Sequence, residues 1–205
     1  MKAIYFLVLF LILSGCAATY RPIKTNELKF TQSQKSEDFL EINYEYNTYY
    51  STYNIRYHKK DKKYDFNTVA VEIINKTTIP IIINKENFKI YSDSTKVDLL
   101  SNMEYINKVK QKPGLYLFHT LWGPWSFQSI TDPAGNTTKK IKFLPIGLVI
   151  GIANAIVANK SNKRLEDDIE RLNIYEKTIQ PQDTLIGIIN IKGNYIRELD
   201  FRYLE

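Results

Sequence analysis

Leu40, Ile42, Tyr44 and Tyr46 alternate with Glu41, Asn43 and Glu45, the period-two pattern of a strand with one buried face. Residues 49–57 are rich in Tyr, Thr and Ile and read by residue type as more of the same sheet, although Tyr46, Tyr50, Tyr53 and Tyr57 also keep helical spacing. Val69, Val71 and Ile73 alternate with Ala70 and Glu72, and turn chemistry follows at residues 75–78. A second strand pair is predicted at 79–83 and 88–91, with Pro80 marking an edge or a strand start. Near the other terminus, residues 185–191 are apolar on both faces, as in a strand covered on each side. Tyr195, Leu199, Phe201 and Tyr203 then alternate with charged residues, and Gly193-Asn194 between the two runs suggests a hairpin turn. With strands at both ends of the chain, the sheet is expected to close by pairing between distant halves.

The middle of the chain switches period. Residues 98–110 read as a helix with Leu99, Leu100, Met103, Ile106 and Val109 on one side and Asp98 at its start, stopped by Pro113-Gly114. Residues 161–172 form an amphipathic helix on Leu165, Ile169 and Leu172, with an Asp167–Arg171 pair at i, i+4. Its acid cluster, Glu166, Asp167, Asp168 and Glu170, reads as a solvated face, because carboxylates on one regular helix lack the turning loop of a calcium site. Residues 131–136 carry turn chemistry after a bulky aromatic stretch that includes Trp122 and Trp125.

Between these lies FLPIGLVIGIANAIVA, residues 143–158, which carries no charge. As a helix it would reach about 24 Å, short of a ~30 Å hydrocarbon core. Gly147, Gly151, Ala155 and Asn159 recur at four-residue intervals and give a narrow face of small side chains. Three arrangements fit. The segment packs across the sheets and buries Leu148, Ile150, Ile152 and Ile156; or it dips into a bilayer with Trp122 and Trp125 at the interface; or the small face docks another chain.

The N-terminus bears on where the protein works. Lys2, an apolar run at residues 3–13 and the small Ser14-Gly15 have the layout of a secretory signal, with a core too short to span a bilayer. Leu13-Ser14-Gly15-Cys16 resembles the bacterial lipoprotein lipobox, and the resemblance implies that Cys16 is acylated and becomes the first residue after cleavage. Cys16 is the single cysteine of the chain. Ala17-Ala18 lacks both the aspartate of inner-membrane retention and the acidic cluster of surface export, so the resemblance implies the periplasmic leaflet of the outer membrane. Residues 1–15 are then the signal and 16–38 a lipidated tether that lets the domain stand off the membrane.

Residues 69–75, 79–81, 88–90 and 180–187 together resemble immunoglobulin-like, telokin-like bacterial lipoproteins of unknown function, of the Bacteroidota type. The resemblance implies an immunoglobulin-like β-sandwich, placed at 39–97 and 178–205. The middle region departs from that sandwich, and 98–177 reads as a mostly helical insertion, so the chain is expected to be mainly β with α. An envelope protein of unknown identity is the expected partner.

Charge and chemistry narrow the function. The chain carries an excess of six positive charges, five without Lys2, but export removes nucleic acid as a partner. The densest basic run, residues 56–63, reads as a solvated hairpin loop, with anionic headgroups or lipopolysaccharide as the alternative, a partner for its charge. No nucleophile signature, paired-carboxylate arrangement, phosphate loop or metal spacing appears. His58 and His119 are the only histidines and have no ligand partners at metal spacing. Tyr44, Tyr46, Tyr49, Tyr50, Tyr53 and Tyr57 invite a carbohydrate platform, with half-exposed sheet packing as the plainer account. The expectation is a lipid-anchored, non-enzymatic envelope protein without metal or cofactor, acting as a binding or assembly module. The alternative is a factor whose apolar insert contacts the bilayer.

Overall fold

Antiparallel strands form where the alternation placed them, and the computed structural model gives a mixed α/β chain. It describes residues 16–35, 39–118, 125–131, 133–135, 137–143, 146–193 and 198–204. In chain order the elements are β1 (Gln32–Lys35), β2 (Leu40–Glu45), α1 (Thr48–Ser51), α2 (Ile55–Tyr64), β3 (Phe66–Asn75), β4 (Ile81–Ile83), β5 (Phe88–Ser92), β6 (Thr95–Lys96) and α3 (Asn102–Val109). They continue with α4 (Pro113–Leu117), β7 (Trp125–Thr131), β8 (Thr137–Phe143), α5 (Ile146–Arg171), β9 (Lys177–Ile179), β10 (Thr184–Lys192) and β11 (Leu199–Tyr203). Two compact units result: residues 20–110 with 164–205, and residues 111–163 with the described N-terminal residues 16–19.

In the larger unit, β1-β2-β3-β10 form one antiparallel sheet, β11-β5-β6 a second, and β4-β9 a short pair. The distant halves do pair: β10 runs beside β3 from Thr184↔Ile74 to Lys192↔Phe66, and β11 beside β5. β10 and β11 lie in different sheets and so are not the two arms of the expected hairpin; of its turn, Asn194 lies outside the described residues. Leu40, Ile42 and Tyr44 of β2, Val69, Val71 and Ile73 of β3, and Phe88, Ile90 and Phe201 of the second sheet share one core. Alternation puts these residues on inward faces. Asn75 is a buried polar rivet in this unit: its amide donates to the carbonyls of Ile79 at 2.8 Å and Ile179 at 3.1 Å.

A second core lies between this sheet and helices. It joins Tyr20, Ile23, Tyr49, Tyr57, Phe66, Tyr105, Val109, Leu165, Ile169, Leu172 and Ile188. Here residues 49–57 depart from the expected strand. Asn47 and Tyr53 adopt positive φ of 55° and 60°, which interrupts an extended run, and the segment forms the two short helices α1 and α2; the tyrosines at helical spacing share no face, since Tyr57 is buried while Tyr50 and Tyr53 are exposed. The basic run 56–63 is thus most of α2, not a hairpin loop, and Lys60 donates to the end carbonyls Val109 O and, at 2.6 Å, Lys110 O, a cation at a helix C-terminus. Helix α3 starts at Ser101, whose hydroxyl accepts from Glu104 N at 3.1 Å, a capping-box spacing. It buries Tyr105 and Val109 while Met103 is exposed, so its inward face is rotated from the one expected on Met103.

Gly187 of β10 admits residues 172–174 against the sheet. A Cβ there would lie 2.3 Å from Ile174 Cγ2 and 2.4 Å from Leu172 O, and the neighbouring Ile188 N donates to that same Leu172 O at 2.8 Å. Backbone cannot yield as a side-chain tip can, so Gly187→Ala is expected to lower stability by about 1–3 kcal/mol, read as a reduced midpoint in chemical denaturation.

The smaller unit corrects the predicted insertion. It covers 111–163 instead of 98–177, because α3 and the last turns of α5 contribute Tyr105, Leu165 and Ile169 to the larger unit's core. It is also not mostly helical: β7 and β8 pair from Trp125↔Phe143 to Thr131↔Thr137, with Gly135 at φ 85° in the turn that the composition of 131–136 announced.

Candidate functional site

The N-terminal residues come first, since they were expected to be a slack tether. Cys16 is exposed, but the chain after it is fastened at once. Ala17 N donates to Asn154 Oδ1 at 2.9 Å. Ala18 N donates to Gln111 Oε1 at 3.1 Å, and Gln111 Nε2 returns a bond to Ala18 O at 2.6 Å. Gln111 is itself buried and exchanges two bonds with Asn162, its N donating at 2.7 Å and its O accepting at 2.9 Å. Tyr116 OH also donates to it at 3.0 Å. Further along, Tyr20 and Ile23 are buried in the larger unit and β1 adds an edge strand. The tether reading of 16–38 fails because Tyr20 and Ile23 are apolar enough to enter a core and Ala17-Ala18 offers backbone groups that meet side-chain amides.

The apolar segment is the second surprise. Helix α5 begins at Ile146 and the packing of its first half reverses part of the expected arrangement. Leu148 (46% exposed), Val149 (65%), Ile152 (45%) and Ile156 (61%) face solvent. Gly147, Gly151 and Ala158 are buried, Ala155 is half-buried and Asn159 exposed. At 3.6 residues per turn, small side chains let this side of the helix approach its surroundings closely while the branched ones point away. Leu115, Leu117 and Phe118 are exposed in the same unit. No described helix is long and apolar enough to cross a membrane. Of the expected interface aromatics, Trp122 lies outside the described residues and Trp125 opens β7.

The larger unit holds a buried polar centre that sequence reading missed. Asp61 of α2 accepts from Tyr105 OH at 2.6 Å and from Thr68 Oγ1 at 3.0 Å. Thr68 Oγ1 lies 3.0 Å from Asn190 Oδ1 as well. Burial pushes the Asp61 carboxyl up to about 7, against the lowering effect of its bonds from Tyr105 and Thr68. Because a hydroxyl has one proton, Thr68 donates to either Asp61 or Asn190; protonated Asp61 frees it to donate to Asn190. Asn190 in turn lines a cleft of about 210 Å³ with Lys85, Leu99, Asn102, Asn173 and Tyr175. That volume is below the several hundred Å³ of ordinary ligand pockets, so it suits a few ordered waters or a very small solute.

The other expected groups fall apart in space. Asp168, read as part of a solvated acid face, is buried and accepts from Tyr20 OH at 3.0 Å and Ile23 N at 2.6 Å. Arg171 pairs with it at 2.7 Å instead of with Asp167. Of the six tyrosines considered as a sugar platform, Tyr44, Tyr49 and Tyr57 are fully buried and Tyr46 is half-buried, leaving Tyr50 and Tyr53 exposed. Tyr44, Tyr49 and Tyr57 build the cores: Tyr49 stacks on Tyr105, Tyr20 meets Tyr49 and Tyr57 edge-on, and Tyr49 and Tyr57 are tilted against each other. His58 is buried against Tyr50, its imidazole held down by burial and by Lys62; His119 lies outside the described residues. Among the described residues, no three His, Cys, Asp or Glu side chains converge in a way that could hold a metal ion.

No protein-family model matches the chain, and neither a curated protein nor a solved structure is similar to it. The functional reading therefore rests on the residues themselves.

Proposed function

We propose that the chain is a lipid-anchored, non-enzymatic protein of the bacterial cell envelope. In this reading its larger unit is an immunoglobulin-like β-sandwich serving as a binding or assembly module for an envelope protein, held at the periplasmic leaflet of the outer membrane. The observation that carries it is the sequence Leu13-Ser14-Gly15-Cys16, with Cys16 exposed. Two packed antiparallel sheets sharing one core support the sandwich. The polar centre at Asp61 is enclosed by Tyr105, Thr68 and Asn190 and has the character of a structural network, whose members satisfy one another.

The hydrogen bonds at Ala17 and Ala18 refine the proposal. An acylated Cys16 sits one residue from a fastened backbone, within about 4 Å along the chain, so the smaller unit rides at the membrane surface instead of standing off on a linker. Two or three acyl chains, at ~0.8 kcal/mol per buried methylene, make that attachment effectively permanent. Growth of an expressing bacterium with labelled palmitate is expected to label the wild-type chain and leave Cys16→Ser unlabelled. Undiminished labelling of the variant would overturn the anchor.

A further inference from the structure

We infer that the first half of α5 is a second membrane contact: an in-plane helix whose exposed apolar face rests in the outer part of the leaflet that holds the Cys16 lipid. The inference deepens the proposed anchoring and rests on it for its choice of partner. Three observations lead to it. First, Leu148, Val149, Ile152 and Ile156 are all substantially exposed and, at about 100° per residue, fall within an arc of about 100° on one side of the helix. Exposed apolar patches of this kind mark interaction surfaces. Second, the same arc continues with exposed Asn159, Lys160 and Lys163. Apolar turns followed by lysines on one face suit a surface with an acyl interior and anionic headgroups, where lysine stems lie along the apolar region and their ammonium groups reach the phosphates. A protein partner would not require that order.

The third observation fixes where the membrane must be. Ala17 is hydrogen-bonded to Asn154 at 2.9 Å, and Asn154 lies on α5 between Ile152 and Ile156 in sequence but on the opposite side by helical rotation. Cys16 therefore lies on the far side of α5, at least one helix diameter, ~10–12 Å, from the apolar face. A helix lying in the interface buries its apolar face about 5–10 Å into the headgroup and acyl boundary. Its back, with Cys16, then lies among the headgroups, where the glyceryl carbon of an acylated cysteine has to be. Anchor and apolar face thus select the same depth without any change in the chain. The exposure of the branched residues follows: burial against protein is replaced by burial in lipid.

The test uses the full chain, processed in bacteria and reconstituted into vesicles of phosphatidylethanolamine and phosphatidylglycerol. An Ile156→Cys variant carries an environment-sensitive fluorophore, since Cys16 is blocked when acylated. Lipids with a doxyl group in the acyl chain are expected to quench the fluorophore about twofold or more as strongly as aqueous iodide does. Adding Val149→Glu and Ile152→Glu, both at exposed positions, is expected to reverse that order with an unchanged circular dichroism melt. Iodide quenching without doxyl quenching in Ile156→Cys would overturn the inference, as would doxyl quenching that survives both glutamates. Palmitate labelling of Cys16 is scored separately. In a chain without labelled lipid the Cys16 thiol would also take the fluorophore, so the measurement is repeated with Cys16→Ser added: doxyl quenching then sinks the anchor alone, and iodide quenching sinks both.

Discussion

Replacing Asp168 with alanine is expected to lower stability by roughly 2–5 kcal/mol, because two buried donors lose their acceptor at about 1–3 kcal/mol each. The donors are Tyr20 OH at 3.0 Å and Ile23 N at 2.6 Å, and neither residue exposes more than 1% of its surface. Burial, with Tyr49 and Asp168 nearby, holds the Tyr20 hydroxyl protonated far above the usual phenol range, so it remains a donor at every physiological pH. Arg171 binds the other carboxylate oxygen and also donates to Ile23 O at 2.8 Å. It is half-exposed, and water can take over its lost partner, so its charge adds little to the loss. Asp168→Asn keeps one acceptor and is expected to cost about half as much. The loss should be local before it is global, since residues 20–23 depend most on this carboxylate. Trypsin cleavage after Lys24 is expected to quicken in the alanine variant ahead of cleavage elsewhere. Uniformly faster cleavage across the chain would mean that Asp168 supports the helix and not the N-terminal segment.

Asp168 also shows where the sequence was readable and where it was not. The spacing of Leu165, Ile169 and Leu172 marked one face of α5 correctly, since all three are buried. Helical spacing sets Asp168 beside that face, i+3 from Leu165 and i−4 from Leu172, unlike its exposed neighbours Asp167 and Glu170; its partners were not legible, because they stand about 145 residues away at Tyr20 and Ile23. The strands were legible for the complementary reason. Period-two alternation is a local signal of a sheet with one inward face, and β2, β3, β5 and β11 carry it. Residues 49–57 depart from the expected strand because their β-forming side chains are a weak local signal that the tertiary packing of Tyr49 and Tyr57, on two separate helices, overrides. The apolar segment was misread differently. Gly147, Gly151 and Ala158 face inward while Leu148, Val149, Ile152 and Ile156 face outward, the reverse of what hydrophobicity alone dictates for a helix surrounded by water. Asp61 left no trace in sequence either, lying within a basic run whose lysines suggested a solvated loop.

Asp61→Asn is expected to make the protein more stable than wild type above about pH 7, by on the order of 4 kcal/mol, and to leave it nearly unchanged near pH 4. Burial raises the carboxyl to about 7 in the folded chain, whereas in the unfolded chain it titrates near 4. The folded state therefore holds the proton more tightly. Below about pH 4 both states are protonated and the group costs nothing; from about 4 to about 7 the unfolded chain alone gives up its proton, and stability falls as pH rises. Above about 7 the full cost is present and no longer grows. Asparagine mimics the protonated acid. Its carbonyl accepts from Tyr105 OH, which stands 2.6 Å from Asp61 Oδ1, and its amide donates to Thr68 Oγ1, which then donates to Asn190. Thermal melts of the two proteins across this range isolate the group, because every other titration is common to both and cancels in the difference. The difference in midpoint is expected to widen from about pH 4 to about pH 7 and then hold level. Parallel curves would mean that Asp61 ionises in the folded state as easily as in the unfolded one. The donors Tyr105 and Thr68 would then outweigh the burial that sets its proton affinity, and the proton arrangement reaching Asn190 would be fixed throughout the physiological range.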